Sequence, residues 1–161
     1  MDITIDWQPP VQLTKAKTLI IDADDLPEEI ENIPGVYYFS RRHGPEYTPF
    51  YIGETLTIRS RLKSHLNSVS IVDVLRGVSK EDDRIRQGSR HFHYGYFVGK
   101  SRQDAKTCIQ IVQKMMIRLA VENGTPILNK QLTKIKTHEI SFEGSGDGRG
   151  WYEASYTMDD S

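Results

Sequence analysis

The sequence of 161 residues predicts an α+β fold, in which a small, largely antiparallel sheet is flanked by helices. Two observations support this fold class. Two short runs rich in β-branched and aromatic residues, 35–40 and 49–53, come directly before a stretch with helical period at 55–66. An alternating run at 90–99 is then followed by a longer helical pattern at about 103–122.

The first 32 residues form a lead-in to this core. Pro9 and Pro10 interrupt it, and the apolar run 18–22 is expected to be an edge strand. The acidic stretch 24–33 is expected to contain a short helical turn that opens at Pro27, because proline already holds the helical φ angle.

The two β-rich runs predict a hairpin. Residues 41–47 (RRHGPEY) lie between them and have strong turn chemistry, so we expect a loop that enlarges the tip of the hairpin. Thr55 is the expected N-cap of the helix that follows. The apolar stripe of that helix consists of Ile58, Leu62 and Leu66.

Further along the chain, a second and shorter helix is predicted at 70–78, and a charged, exposed loop at 80–89. Ser101 and Asp104 have the spacing of a capping box, which satisfies free N–H groups at the start of a helix. They are expected to open the last helix, which ends before Gly124.

The tail is expected to form a closing hairpin, because it holds two alternating runs, at 138–143 and 151–157, separated by a glycine-rich stretch. At this length the chain 1–161 is expected to be one domain. Its core would span about 33–130, and the hairpin extension 131–161 would follow.

The composition excludes several classes of protein. Lys and Arg total 21 and Asp and Glu total 22, so the net charge of -1 argues against nucleic-acid binding by bulk charge alone. The single cysteine, Cys108, excludes an internal disulfide and a cysteine-based zinc cluster. The acidic start differs from a secretory signal, and no apolar run approaches the roughly 18–20 residues of a membrane span. We therefore expect a cytoplasmic protein.

Residue types suited to phosphodiester chemistry surround the predicted hairpin. The tripeptides 35–37 (GVY) and 51–53 (YIG) place a tyrosine near a glycine on each strand, and glycine lets a substrate approach the backbone. Arg61 and His65 follow at a spacing that puts them on one helix face. A guanidinium matches phosphate oxygens, and a phenol or an imidazole can relay a proton.

This ordered set resembles the GIY-YIG nuclease family. The resemblance covers about 33–130 and includes 126–129 (PILN), which is similar to the family's terminal P-x-x-N element. Either tripeptide alone would be weak evidence, whereas the ordered set in this strand and helix order is specific. The resemblance implies an endonuclease that hydrolyses DNA phosphodiester bonds with one divalent ion, Mg²⁺ or Mn²⁺.

The resemblance also implies a role for each matching residue. Tyr37 and Tyr51 would line the site, and one of them would help to prepare the attacking water. Arg61 would stabilise charge on the phosphate, and His65 would assist proton transfer or orient the tyrosine. Asn129 would organise the site from the end of the last helix, although it could also be a simple turn residue.

The sequence departs from the family at the metal ligand. The family holds its ion with a glutamate in the pattern E-x-x-apolar-(Leu/Ile), and that pattern falls on 113–117 (QKMMI) here. A neutral amide such as that of Gln113 binds Mg²⁺ more weakly than a carboxylate, so we expect impaired activity. Glu54 is the candidate replacement ligand, whereas Glu122 lies on the opposite helix face.

Two explanations of Gln113 stay open. Either the natural protein lost its metal, or the chain carries a deliberate glutamate-to-glutamine exchange, which we favour because it keeps the shape of the side chain. The alternative function is an inactive domain of this family that binds nucleic acid or another protein. A homodimer, or a nuclease with a neutralising partner protein, is a further hypothesis.

Other polar and aromatic side chains receive simpler expectations. His91 and His93 are spaced like a metal pair, but no third ligand is evident, so a surface role is expected. Tyr38, Tyr94 and Tyr96 are expected to be packing residues. The cationic side chains expected to contact a nucleic-acid backbone are Arg41, Arg42, Arg59, Lys63, Lys100 and Arg102.

Overall fold

The computed structural model describes residues 2–77, 88–99, 103–128, 137–141 and 155–159. The chain separates into two units, Met1–Asn129 and Lys130–Ser161. The boundary lies close to residue 131, where the predicted extension begins.

The described part of the first unit contains seven strands and three helices, and that of the second unit contains two strands. In chain order they are β1 (Ile5–Trp7), β2 (Val11–Gln12), β3 (Thr14–Lys15), β4 (Thr18–Leu19), β5 (Gly35–His43), β6 (Glu46–Thr55), α1 (Ile58–Leu66), α2 (Val69–Leu75), β7 (Ser89–Phe97), α3 (Ala105–Glu122), β8 (Thr137–Ser141) and β9 (Ser155–Asp159).

The main sheet has the strand order β1-β7-β5-β6, and β2 pairs with β7 beside β1. All of these pairings are antiparallel. The predicted α+β class with a mostly antiparallel sheet is therefore confirmed. The lead-in contributes the two short strands that pair with β7, so part of it belongs to the sheet.

Helices cover both faces of this sheet. On one face, Tyr37 and Phe39 of β5 pack in the main hydrophobic core with Leu62 of α1. Val36 and Ile52 point to the other face, because side chains alternate along a strand, and both are buried where α3 packs against β5 and β6. None of the helices in the described ranges is long and apolar enough to cross a membrane.

The hairpin of β5 and β6 is longer than the sequence suggested. Its strands stay paired as far as His43 and Glu46, so most of 41–47 is strand and the expectation of an enlarged loop is wrong. The chain reverses at Gly44 and Pro45 alone. Strand pairing satisfies the backbone hydrogen bonds of this charged segment, and that gain outweighs its local turn preference.

One irregularity in this hairpin decides which side chains share a face. Phe39 pairs with Tyr51, but the next residue, Ser40, pairs with Pro49. Phe50 is therefore the extra residue of a β-bulge, and its side chain is buried in the main core. Since one extra residue reverses the alternation, residues of β6 before the bulge face the opposite way from those expected without it.

The expected helix starts differ from the observed ones. Thr57 occupies the N-cap position of α1, whereas Thr55 ends β6, and its Oγ1 accepts the N–H of Thr57 at 3.1 Å. Asp104 occupies the N-cap position of α3, where its carboxylate accepts the hydroxyl of Thr107 at 2.6 Å. The predicted capping box is therefore wrong, because it placed Asp104 inside the helix, whereas Asp104 lies directly before it. The other predicted member, Ser101, lies outside the described residues.

Where the structure describes them, the other predicted elements have the expected type of secondary structure but a different length. The expected edge strand at 18–22 is only the two-residue β4, which pairs with β3. The second helix ends at Leu75. The acidic stretch makes a turn, in which Ile30 N–H donates to the carbonyl of Pro27. Most of the expected loop at 80–89 lies outside the described residues. In the second unit, β8 and β9 pair antiparallel, so the predicted hairpin is confirmed.

Candidate functional site

Four of the predicted site residues lie together on the face of the sheet that packs against α1. Tyr37 stands on β5 directly opposite Gly53 of β6, and Tyr51 is two residues away on the same face of β6. The two tyrosine rings are stacked, with centroids 6.3 Å apart. Arg61 and His65 reach the same place from α1, where they are one helical turn apart.

The hydroxyl group of Tyr37 joins this site together. It lies 2.7 Å from Nε2 of His65 and accepts the Nε–H of Arg61 at 3.2 Å. If the phenol donates its own proton to Nε2, all three groups are satisfied, because a neutral imidazole has one acceptor nitrogen. The site is therefore a connected hydrogen-bond network, with Tyr37 at its centre.

Burial controls the charges in this network. It raises the pKa of Tyr37 well above its usual value, with Tyr51 adding to the shift and Arg61 opposing it. It also lowers the pKa of His65, and together with the smaller effect of the nearby Arg61 cation it brings that pKa to about 3. The hydrogen bond to Tyr37 raises the pKa of Arg61. At neutral pH the tyrosine and the histidine are uncharged, and Arg61 supplies a positive charge at the exposed side.

The contacts at position 53 explain why the tripeptide 51–53 ends in a glycine. A Cβ added at this position would overlap Cζ and Oη of Tyr37. The phenol of Tyr37 occupies the space that any larger side chain at position 53 would need. The glycine therefore sets the position of the hydroxyl group that binds Arg61 and His65.

The structure brings Gln113 to the edge of the same hairpin. Its Nε2 donates to the carbonyl of Ile52 at 3.2 Å, so position 113 lies beside the strand segment between Tyr51 and Gly53. Gln113 is half-buried on α3. Position 113 is thus next to the site, although its side chain bonds to the backbone.

The residues present do not fit a divalent-cation site. Within the described ranges, no three His, Cys, Asp or Glu side chains group together in a way that could hold a metal ion. Glu54 is half-buried, burial raises its pKa, and the two cations Lys106 and Arg61 act on it electrostatically. Two nearby cations oppose a divalent ion, and the Gln113 amide offers only a neutral oxygen.

The cationic side chains that were expected to contact a nucleic-acid backbone have different surroundings in the structure. The guanidinium of Arg59 donates to the carbonyls of Leu26, Pro27 and Ile30 at 3.1, 2.6 and 3.2 Å. These bonds tie α1 to the acidic stretch, which gives Arg59 a structural role in place of a phosphate contact. Lys63 is exposed, with an ion pair to Asp24 at 3.5 Å.

The remaining predicted residues divide into two groups. Arg41 is half-buried on β5, and Arg42 is exposed near the tip of the hairpin. The expected positions of Asn129, Lys100 and Arg102 lie outside the described residues.

His91 and His93 do not have the expected surface role, because both are buried on the face of the sheet opposite Tyr37. Nε2 of His93 lies 2.7 Å from Oγ of Ser40, and Nε2 of His91 lies 3.1 Å from Oγ of Ser89. Alternation along β7 predicted their shared face. No local pattern indicates that rings of other strands cover that face.

Comparison with known proteins adds no relative: no protein-family model, no curated protein and no solved structure matches the chain. The resemblance to GIY-YIG nucleases is therefore carried by the motifs of the sequence.

Proposed function

We propose that the site around Tyr37 binds and hydrolyses DNA phosphodiester bonds, in an endonuclease of the GIY-YIG type. One observation supports this most directly: the Tyr37 hydroxyl is hydrogen-bonded to both His65 and Arg61. A neutral proton-transfer pair beside an exposed cation can support water attack on an anionic phosphodiester.

Arg61 has two tasks in this proposal. Its Nε holds the hydroxyl of Tyr37, and its remaining N–H groups can donate to phosphate oxygens. Negative charge grows on those oxygens as water attacks, so a fixed guanidinium stabilises the transition state more than the ground state. Removal of Arg61 should therefore reduce the rate of cleavage as well as the affinity for DNA.

Proton transfer in this proposal depends on the substrate. The attacking water gives a proton to the oxygen of Tyr37 as Tyr37 passes its own proton to Nε2 of His65. The P–O bond to the leaving oxygen breaks, and that oxygen takes a proton from solvent. A histidine with a pKa of about 3 is a poor acceptor. Burial is the larger cause of that low pKa, and a bound phosphodiester anion beside Arg61 raises it only in part, by offsetting the charge of Arg61.

Position 113 provides the test of the enzymatic proposal. The substitution Gln113→Glu replaces an N–H donor with a carboxylate oxygen beside the carbonyl of Ile52. Two facing oxygens repel each other unless a cation lies between them, and Mg²⁺ prefers such ligands. We expect Q113E to nick supercoiled plasmid with Mg²⁺ or Mn²⁺ at least about tenfold faster than the present chain.

The matched control is Gln110→Glu, which adds the same charge to α3 one turn earlier and should leave the rate unchanged. Adding Arg61→Ala to Q113E should abolish the gain. If Q113E cuts no faster than the present chain with either ion, or if the R61A combination cuts as fast as Q113E, the hydrolase proposal is wrong.

The amide of Gln113 also favours a second candidate, a domain that binds nucleic acid without cutting it. In that case both the present chain and Q113E would retain plasmid DNA, with an affinity that falls steeply as salt rises, and neither would nick it. Binding that does not respond to salt would indicate a protein partner instead.

A further inference from the structure

The sheet face opposite Tyr37 carries a continuous row of rings that the proposed active site does not use. We call it the aromatic row, and its members are Trp7, Tyr38, His93, Tyr47 and His91. Tyr38 and His93 are stacked with centroids 4.3 Å apart. Trp7 meets the edge of Tyr38 at 5.4 Å, and Tyr47 meets the edges of His93 and His91 at 4.8 and 5.0 Å.

Strand register places the central members of the row side by side. Tyr38 of β5 is the direct cross-strand partner of His93 of β7. Trp7 of β1 is the partner of Gly95. A Cβ at Gly95 would lie 3.0 and 3.1 Å from two carbons of the Trp7 indole, so the missing side chain lets the indole lie against β7 and reach Tyr38. The row thus runs across three strands.

The β-bulge at Phe50 brings a residue of a fourth strand, β6, into the aromatic row. Without it, Tyr47 would share the face of Tyr51, because the two positions are four apart on one strand. With it, Tyr47 pairs with Arg42 and lies on the face of the row. The guanidinium carbon of Arg42 lies 5.2 Å from the centroid of the Tyr47 ring, so an exposed cation stands at this end of the row.

The ends of the row are open to solvent and its centre is fixed. Trp7 is 43% exposed and Tyr47 is 37% exposed. His93 and His91 are buried and are held by the hydroxyls of Ser40 and Ser89. The result is a rigid platform with two accessible rings and a guanidinium beside one of them.

We propose that the aromatic row and Arg42 bind unpaired bases of a single-stranded nucleic acid. Aromatic rings on a sheet face stack on bases of any sequence, and an adjacent guanidinium pairs with the phosphates that connect those bases. Arg42 contributes a positive charge at the Tyr47 end of the platform, which complements a polyanion. This site is on the other face of the sheet from Tyr37 and goes beyond the proposed function.

The first test uses the full chain and a fluorescein-labelled oligothymidine strand, with binding followed by fluorescence anisotropy. Trp7→Ala and Tyr47→Ala should each weaken binding at least about fivefold, because each removes a stacking surface. Trp7→Phe should restore most of the affinity. Val69→Ala is the matched control, since Val69 is an exposed apolar residue on α2 and its loss should change nothing.

The second test uses the tryptophan itself. The chain contains two tryptophans, so the variant Trp151→Phe leaves Trp7 as the only one. Oligothymidine should then quench its fluorescence in a saturable way. Equal affinity in the chain, W7A and Y47A, or no quenching in W151F, would overturn the proposal. Binding of a proline-rich peptide in place of the oligonucleotide would also overturn it.

These outcomes are distinguishable from failure of the proposed function. Arg61→Ala should reduce plasmid cleavage by Q113E more than it weakens oligothymidine binding, whereas Trp7→Ala should weaken oligothymidine binding more than it reduces that cleavage. Oligothymidine binding that falls further in R61A than in W7A and Y47A would place the strand at the Tyr37 site and would contradict a separate platform.

Discussion

The hydroxyl of Tyr37 lies 2.7 Å from Nε2 of His65, across 28 positions of sequence. Burial keeps both groups uncharged at neutral pH, by raising the pKa of the phenol and lowering that of the imidazole. Arg61, the third member of the network, carries the charge. The two groups that exchange a proton in the proposed mechanism are therefore neutral, and the cation that would meet an anionic substrate lies beside them.

Removing the Tyr37 hydroxyl should reduce both the rate of cleavage and the stability of the fold. In the Q113E background, Tyr37→Phe should reduce plasmid nicking at least about a hundredfold, because the proton path between water and His65 is lost. It should also destabilise the fold by about 1–3 kcal/mol, since Nε2 of a buried histidine loses its partner. The control is Tyr96→Phe, whose hydroxyl bonds to Glu29 and Glu31 away from this network and whose loss should leave the nicking rate unchanged.

Enlarging Gly53 should displace Tyr37. Gly53→Ala places a methyl group where the Tyr37 phenol lies, so the ring or the strand must move. We expect a loss of about 1–3 kcal/mol in unfolding free energy, measured by urea denaturation, together with loss of cleavage in the Q113E background. Gly99→Ala is the control, because its nearest neighbour would be at an ordinary 3.4 Å. Equal stability of the two variants would contradict this account of Gly53.

Acid should destabilise the first unit. The pKa values of His65 and His93 are lowered to about 3 and about 4, from 6.5. Because the unfolded chain takes up these protons first, stability is retained above pH 6.5 and decreases as pH falls toward the folded-state values. Each histidine adds up to about 1.4 kcal/mol of loss per pH unit in that interval.

The measurement for this pH dependence is thermal unfolding between about pH 7 and about pH 5. The variant His93→Gln keeps a polar group near Ser40 and cannot be protonated, so its melting temperature should fall less over this interval. A variant that loses stability with acid as steeply as the unmodified chain would show that His93 is not one of the groups responsible.

Arg59 and Lys63 should behave differently although both are cations on α1. Arg59→Ala removes three hydrogen bonds to backbone carbonyls, so we expect a loss of about 2–4 kcal/mol in unfolding free energy. Lys63→Ala removes one exposed ion pair and should change stability by less than about 1 kcal/mol. The unfolding free energies of both variants are measured by urea denaturation. Equal values for the two variants would contradict the expected contrast.

Local pattern was sufficient to predict much of the fold. Alternation at 90–99 and helical period after Gly53 and after Asp104 predicted β7, α1 and α3, because burying one face imposes those periods on the sequence. The helical spacing also placed Arg61 and His65 on one face of α1, whereas the expectation that Tyr37 lies with them came from the family resemblance. Element ends were less accurate, as at Thr55, because a hydrogen bond in the strand or helix can replace the cap that a residue type suggests.

The sequence by itself determined the order of the strands and helices from β5 to α3 and the residue types available for chemistry, since both follow from local periodicity and side-chain identity. Only the tertiary structure decided that Arg59 is tied to carbonyls of a distant turn, and that the bulge at Phe50 sends Tyr47 to the face of Trp7. These features depend on pairing between segments far apart in the chain. No local pattern encodes them, because one residue of register reverses every side chain beyond it.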